Sequence, residues 1–190
     1  MPLKIIHPQH TEVMGTGLVL ISSPPVRDPK RDLYTGQVAE ETALLSRSWA
    51  IIARGIKLSE DEDKAREIWS DFEKSAQTLV GEYGIKCIIM IVGMSEPGLM
   101  IKAHPDDSTS EEILEIIGSG LEPHFDTRVT DPGAEDASNQ VLPIVRLELG
   151  PDERGFMKDQ FVNSITDIIS LINTRLGFSE TNESSSGVLD

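Results

Sequence analysis

One cysteine, Cys87, is all the chain contains, which excludes a disulfide framework and a cysteine-built zinc site. Aromatic residues make up only 5% of the 190 residues, so a core must be assembled from Ile, Leu and Val. Positive charge is scarce: 17 Lys and Arg stand against 32 Asp and Glu, a formal net charge of −15. A field of that sign repels nucleic-acid phosphates and anionic headgroups, so neither nucleic acid nor a membrane is expected as a partner. A small anionic ligand remains compatible, because a few Arg or Lys side chains override the global field at short range. The most apolar stretch, Ile85–Val92, falls far short of the roughly 20 residues that span a bilayer. Met1–His7 has no apolar segment behind its charge, so no secretory leader is expected and the cytoplasm is the expected compartment.

What is present reads as alternating strands and helices. Leu3–Ile6 suits a short strand, followed by a His-Pro-Gln-His loop. His7 and His10 sit three apart around a proline, a spacing open to a metal pair but more often inert in a loop. Gly17–Ser23 is a continuous apolar run that suits a strand buried on both faces, and Pro24, Pro25 and Pro29 then forbid regular structure. Thr35 reads as the N-cap of a helix over 36–47, with Val38, Thr42 and Leu45 on one face. Strand character returns over 48–56.

Between Leu58 and Tyr83, apolar residues from Ala65 through Phe72 to Tyr83 recur at three and four, predicting the clearest amphipathic helix of the chain. Gly84 ends it, and Ile85–Val92 follows at once as a strand with Cys87 in the core. A helix feeding directly into a buried strand implies βαβ crossovers and a largely parallel sheet. Gly98–His104 suits another strand, and Ser108 with Glu111 offers a capping box for a helix facing Ile113, Ile116, Ile117 and Leu121 inward. Strands are expected over 125–130 and 141–149, the latter at an edge or bulge because of Pro143. A last helix over 155–176 would bury Phe156, Phe161, Val162, Ile165, Ile168, Ile169 and Ile172. The expectation is one three-layer α/β/α domain over 1–178, with a mixed, mainly parallel sheet, and a disordered polar tail over 179–190.

Four segments, in order, carry a family resemblance. They are VLISSPPVRDPKRDLYTG (19–36), Asp63-Lys64-Ala65-Arg66, Ile91-Val92-Gly93-Met94, and Arg146-Leu147-Glu148 followed by Arg154. Together they resemble the N-formylglutamate amidohydrolase family, whose fold is similar to that of zinc carboxypeptidases. The resemblance implies a zinc-exopeptidase-like sheet, a catalytic glutamate at Glu148, and zinc-ligand histidines where this chain has Pro25 and Val92. Neither replacement offers a lone pair to a metal. Asp28 stands near the place of an acidic ligand, but catalytic zinc takes three protein ligands.

No metal is therefore expected at that site, and Glu148 would survive as a vestigial general base. Without zinc, water keeps a high pKa and the carboxylate has little to act on. Arg27, Asp28, Arg31, Asp63, Arg66 and Arg154 are the candidate ligand-binding residues, and Arg54 a further guanidinium. Arginine forks suit a carboxylate-bearing ligand. Plainer readings accompany them: a strand-end charge for Glu148, helix-start charges for Asp63 and Arg66, solvated loop charges for Arg27 and Arg31. A rival reading is an active zinc-dependent amidohydrolase with a rearranged site of Asp28, Glu148 and either His104 or His124. A third is a pure interaction module or non-catalytic subunit, and a homo-oligomer is open.

Overall fold

The structure, a computed structural model, describes residues 3–26, 30, 32–53, 60–103, 108–130 and 142–178. Eight strands form one sheet: β1 Lys4–Ile6, β2 Thr11–Val13, β3 Val19–Ser23, β4 Trp49–Ile52, β5 Cys87–Gly93, β6 Leu99–Ala103, β7 Thr127–Thr130 and β8 Ile144–Leu149. Their spatial order is β1-β2-β4-β3-β5-β8-β6-β7. The β4–β3–β5–β8 centre is parallel, and so is β6 with β7, whereas β1–β2, β2–β4 and β6–β8 are antiparallel. The α/β expectation, mixed and mainly parallel, holds.

Helices α1 Thr35–Ser46, α3 Ser108–Leu121 and α5 Lys158–Arg175 cover one face, and α2 Glu62–Tyr83 covers part of the other. A short helix, α4 Pro151–Arg154, follows β8. The first face holds the larger core, where Ile21, Ile89, Ile91 and Leu147 meet Val38, Ile113, Ile117, Phe161 and Ile165. Cys87 belongs to it, and burial pushes its thiol up to about 12, so it stays an inert packing group. On the second face Phe72 and Leu79 of α2 pack on Leu20, Trp49 and Ile51, and Tyr83 stacks on Trp49 with ring centroids 3.8 Å apart.

Local chemistry explains the helix ends. The Asp61 carboxylate accepts from the Asp63 and Lys64 N–H groups at 3.1 and 3.4 Å, starting α2, and Gly84 at φ 63° stops it. Thr35 is the first helical residue rather than the cap. Tyr34 holds the cap position in left-handed geometry at φ 71°, and the Thr35 hydroxyl donates backwards to the Asp32 carbonyl.

Two other expectations are corrected. β8 is an interior strand between β5 and β6, and Pro143 precedes it, its carbonyl accepting from Ile88 N–H at 3.0 Å. The last helix begins at Lys158, because a turn after α4 carries Phe156 outward to 96% exposure instead of into the core. Residues 179–190 lie outside the described residues.

Glu41 of α1 and Lys158 of α5 form an ion pair at 2.7 Å. Burial pushes the Glu41 carboxyl up. Hydrogen bonds from Lys158 and Gln37, with the Lys158 charge, outweigh that and leave it below its usual 4.5. A depressed folded value stabilises above the unfolded one and is lost as pH falls through the folded one. The stability difference between the wild type and Glu41→Gln, measured by urea unfolding, should therefore be present at pH 7 and vanish as the pH drops below about 4.5. A second prediction concerns close packing. A Cβ on Gly15 would lie 2.3 Å from backbone atoms of Ser48 and Trp49, which no rotamer change relieves. Gly15→Ala should cost about 1–3 kcal/mol in the same measurement.

Candidate functional site

The parallel centre of the sheet points the carboxyl ends of β3, β5 and β8 to one edge, where α/β proteins place ligands. Pairing register then decides which side chains meet. Val92 of β5 lies beside Glu148 of β8, Met90 lies beside Arg146, and the antiparallel β6 brings Met100 against Glu148 and Lys102 against Arg146. All of these face the α2 side of the sheet, because paired residues share a face.

Glu148 is 4% exposed. Its Oε1 lies 3.0 Å from Lys102 Nζ and 2.9 Å from Arg146 Nε, within ion-pair reach but without hydrogen-bond alignment. Thr130 Oγ1, on the strand position paired with Lys102, is also buried and makes no hydrogen bond among the described residues. Two cations therefore flank one carboxylate at this edge of the sheet.

Beside this trio, between α2 and the sheet, runs a groove of about 500 Å³. Ser22, Trp69, Phe72, Ala76, Met90 and Ile144 are among the residues that line it. Met90 and Ile144 connect it to the trio, since Met90 pairs with Arg146 and Ile144 is the strand position two before it. The groove exists because α2 covers β3 and β4 closely but leaves Ile88 and Met90 of β5 only half-buried.

Arg154 is the other buried charge at this edge, at 5% exposure. Its Nε donates to the Gly150 carbonyl at 3.2 Å, one terminal nitrogen to Leu33 at 3.2 Å, and the other to Met94 at 3.1 Å. It thus ties the segments that follow β3, β5 and β8 into one rim. Asp32 adds a second tie, its carboxylate accepting from Gly93 N–H at 2.5 Å. Five donors in a rigid fork make arginine suited to this bridging, and lysine could not reproduce it.

The remaining sequence-derived candidates divide. Asp63 and Arg66 lie on the exposed first turns of α2, where they pair with each other at 3.5 Å and make no ion pair or hydrogen bond with Glu148. Arg27, Asp28, Arg31, Arg54 and His104 lie outside the described residues. His124 is exposed on the turn after α3, its ring edge-on to Phe125. Pro25 and Val92 are buried and carry no donor atom, and Glu148 Oε1 already faces two cations. That donor set does not fit a zinc ion. Lys102 and the groove were missed from sequence. Lys102 left a weak signal as a lone charge inside an apolar strand, whereas the groove left none.

The Arg154 clamp is testable. Arg154→Met keeps the bulk of the side chain but strips hydrogen bonds from three backbone carbonyls at the rim. It should destabilise by about 2–4 kcal/mol in urea unfolding and speed proteolytic nicking after β3.

No protein-family model matches the sequence, and no curated protein matches it. Among solved structures, a gene product of Agrobacterium tumefaciens superposes with a TM-score of 0.64 at 13% identity, over 90% of this chain and 96% of the other. A succinylglutamate desuccinylase from Vibrio parahaemolyticus gives 0.55 at 9% identity, over 89% of this chain and 77% of the other. A metallo-carboxypeptidase from Burkholderia cenocepacia gives 0.54 at 10% identity, over 88% of this chain and 61% of the other. At these identities the likeness establishes the fold: this chain has the zinc-carboxypeptidase-like α/β fold, whose neighbours here include hydrolases.

Proposed function

We propose that this protein is a divergent relative of the N-formylglutamate amidohydrolases that has lost the zinc centre and binds a small carboxylate-bearing ligand at the carboxyl edge of its sheet. The observation that carries this reading is the Lys102–Glu148–Arg146 trio opening beside an apolar groove. A carboxylate arriving there meets the donors of Lys102 and Arg146 in a largely buried setting, where charge-assisted hydrogen bonds are strongest. The groove beneath α2 would take the aliphatic or acyl part of the same molecule. That a fold neighbour is a succinylglutamate desuccinylase supports an N-acylated acidic amino acid as the ligand class.

Glu148 in this reading no longer activates water. Flanked by two cations and beside Val92, it holds Lys102 and Arg146 in place for the ligand. Arg27, Asp28 and Arg31 are proposed as further ligand-binding charges, and Arg66 as an outer contact. Arg154 itself serves by holding the rim.

The test is a thermal-shift titration with N-formyl-L-glutamate, glutarate and, as a control, an uncharged amide. At roughly a hundred times its Kd, a ligand of the folded state adds about 2.7 kcal/mol, or about 5–10 °C in Tm for a chain of this size. The acids should produce such a shift and the amide should not. Lys102→Met should weaken the binding by about tenfold or more. No formate should be released from N-formyl-L-glutamate, with or without added zinc. Formate release that is lost in Glu148→Gln would replace this reading with an active amidohydrolase. The absence of any shift with the acids would leave a non-catalytic subunit.

A further inference from the structure

At the sheet edge opposite β7, the β1–β2 hairpin presents a cluster that the carboxylate site does not use. Pro8 and Gln9 form its turn, and His7 N–H donates to the His10 carbonyl at 2.9 Å, so the two histidines face each other across the mouth of the hairpin. Their rings stack with centroids 4.4 Å apart and planes 20° apart. Glu12 of β2, two residues beyond His10, projects toward both rings. Glu12 Oε1 lies 3.0 Å from His10 Nε2 and 3.4 Å from His7 Nε2. One donor atom from each of the three residues lies within 4.8 Å of the others.

We propose that His7, His10 and Glu12 form a binding site for a divalent transition-metal ion of the zinc type. Ligands about 2.0–2.2 Å from a tetrahedral ion lie roughly 3.3–3.6 Å from one another; the Glu12–His7 separation of 3.4 Å falls in that range and the Glu12–His10 separation of 3.0 Å is a few tenths of an ångström shorter. The second observation is an orphaned atom. His7 Nε2 is buried yet makes no hydrogen bond among the described residues, a cost that a coordinated cation would remove. Phe72 of α2, edge-on to the His10 ring at 6.5 Å, walls the cluster on one side.

The ligand chemistry selects the ion. Two imidazoles and one carboxylate suit zinc, nickel or copper, whereas calcium and magnesium take oxygen ligands almost alone. Three protein ligands leave a fourth position for water or a small ligand. The cluster is separate from the strand ends where the family resemblance puts zinc, because β2 is divided from β3 by β4. The proposal goes beyond the carboxylate-site reading and does not depend on it.

The experiment is calorimetric titration of zinc into the full chain after chelator treatment and dialysis. One ion should bind per chain, with a rise in Tm. His7→Gln and Glu12→Gln should each weaken binding by at least the roughly 10- to 100-fold that even outer-shell losses cost. Lys102→Met, at the other site, should leave it unchanged. A second measurement avoids variants altogether: zinc should protect His7 and His10 of the wild type from an imidazole-modifying reagent while exposed His124 stays reactive. Absence of zinc binding, binding that survives in the His7→Gln/His10→Gln double variant, or equal labelling of His7 and His10 with and without zinc would each overturn the proposal.

Discussion

The arrangement of the candidate site depends on the buried Arg154 guanidinium. A charge taken out of water is costly unless each of its donors finds an acceptor, and this one finds three carbonyls on segments that follow different strands. Carbonyls left bare at strand ends are themselves costly when buried, so the two deficits cancel in one interaction. The consequence is geometric. The rim carrying Leu33, Met94 and Gly150 is held as a unit, and the segment after β3 returns to the end of β5 at the Asp32–Gly93 hydrogen bond.

Behind that rim the α2 side of the sheet is asymmetric. One half is closed by Phe72 and Leu79 packing on Leu20, Trp49 and Ile51. The other half, over β8 and β6, carries Glu148, Arg146 and Lys102. The groove lies between the two halves, lined by Met90 and Ile144, the strand neighbours of the charged group. Small-ligand sites commonly set a few polar groups beside an apolar wall in this way. On the opposite face α1, α3 and α5 pack over a continuous, mainly aliphatic core.

Much of the fold was legible in the chain, and for identifiable reasons. The period of α2 and its stop at Gly84, and the apolar run of β3, are local signals that tertiary packing did not override. Pro143 was misleading because a proline just before a strand looks, in sequence, like one within it. Phe156 was misleading because the turn after α4 breaks the periodicity that would have turned it inward. At the site, Glu148 and Arg154 were both picked out, yet their roles were not separable. A buried structural guanidinium and a ligand clamp have the same sequence, and only the carbonyls around Arg154 distinguish them.

By itself the sequence determined the alternation of strands and helices and the aliphatic core. These follow from side-chain chemistry and from periods of two and 3.6, which act over a few neighbouring residues. Tertiary structure alone decided that β8 lies between β5 and β6, and thereby that Lys102 stands over Glu148, 46 positions further along the chain. It also decided that His7, His10 and Glu12 share one face of a hairpin, with a nitrogen left without a hydrogen bond among the described residues. Pairing between distant strands is set by how the whole apolar surface is buried at once, and no local pattern encodes it.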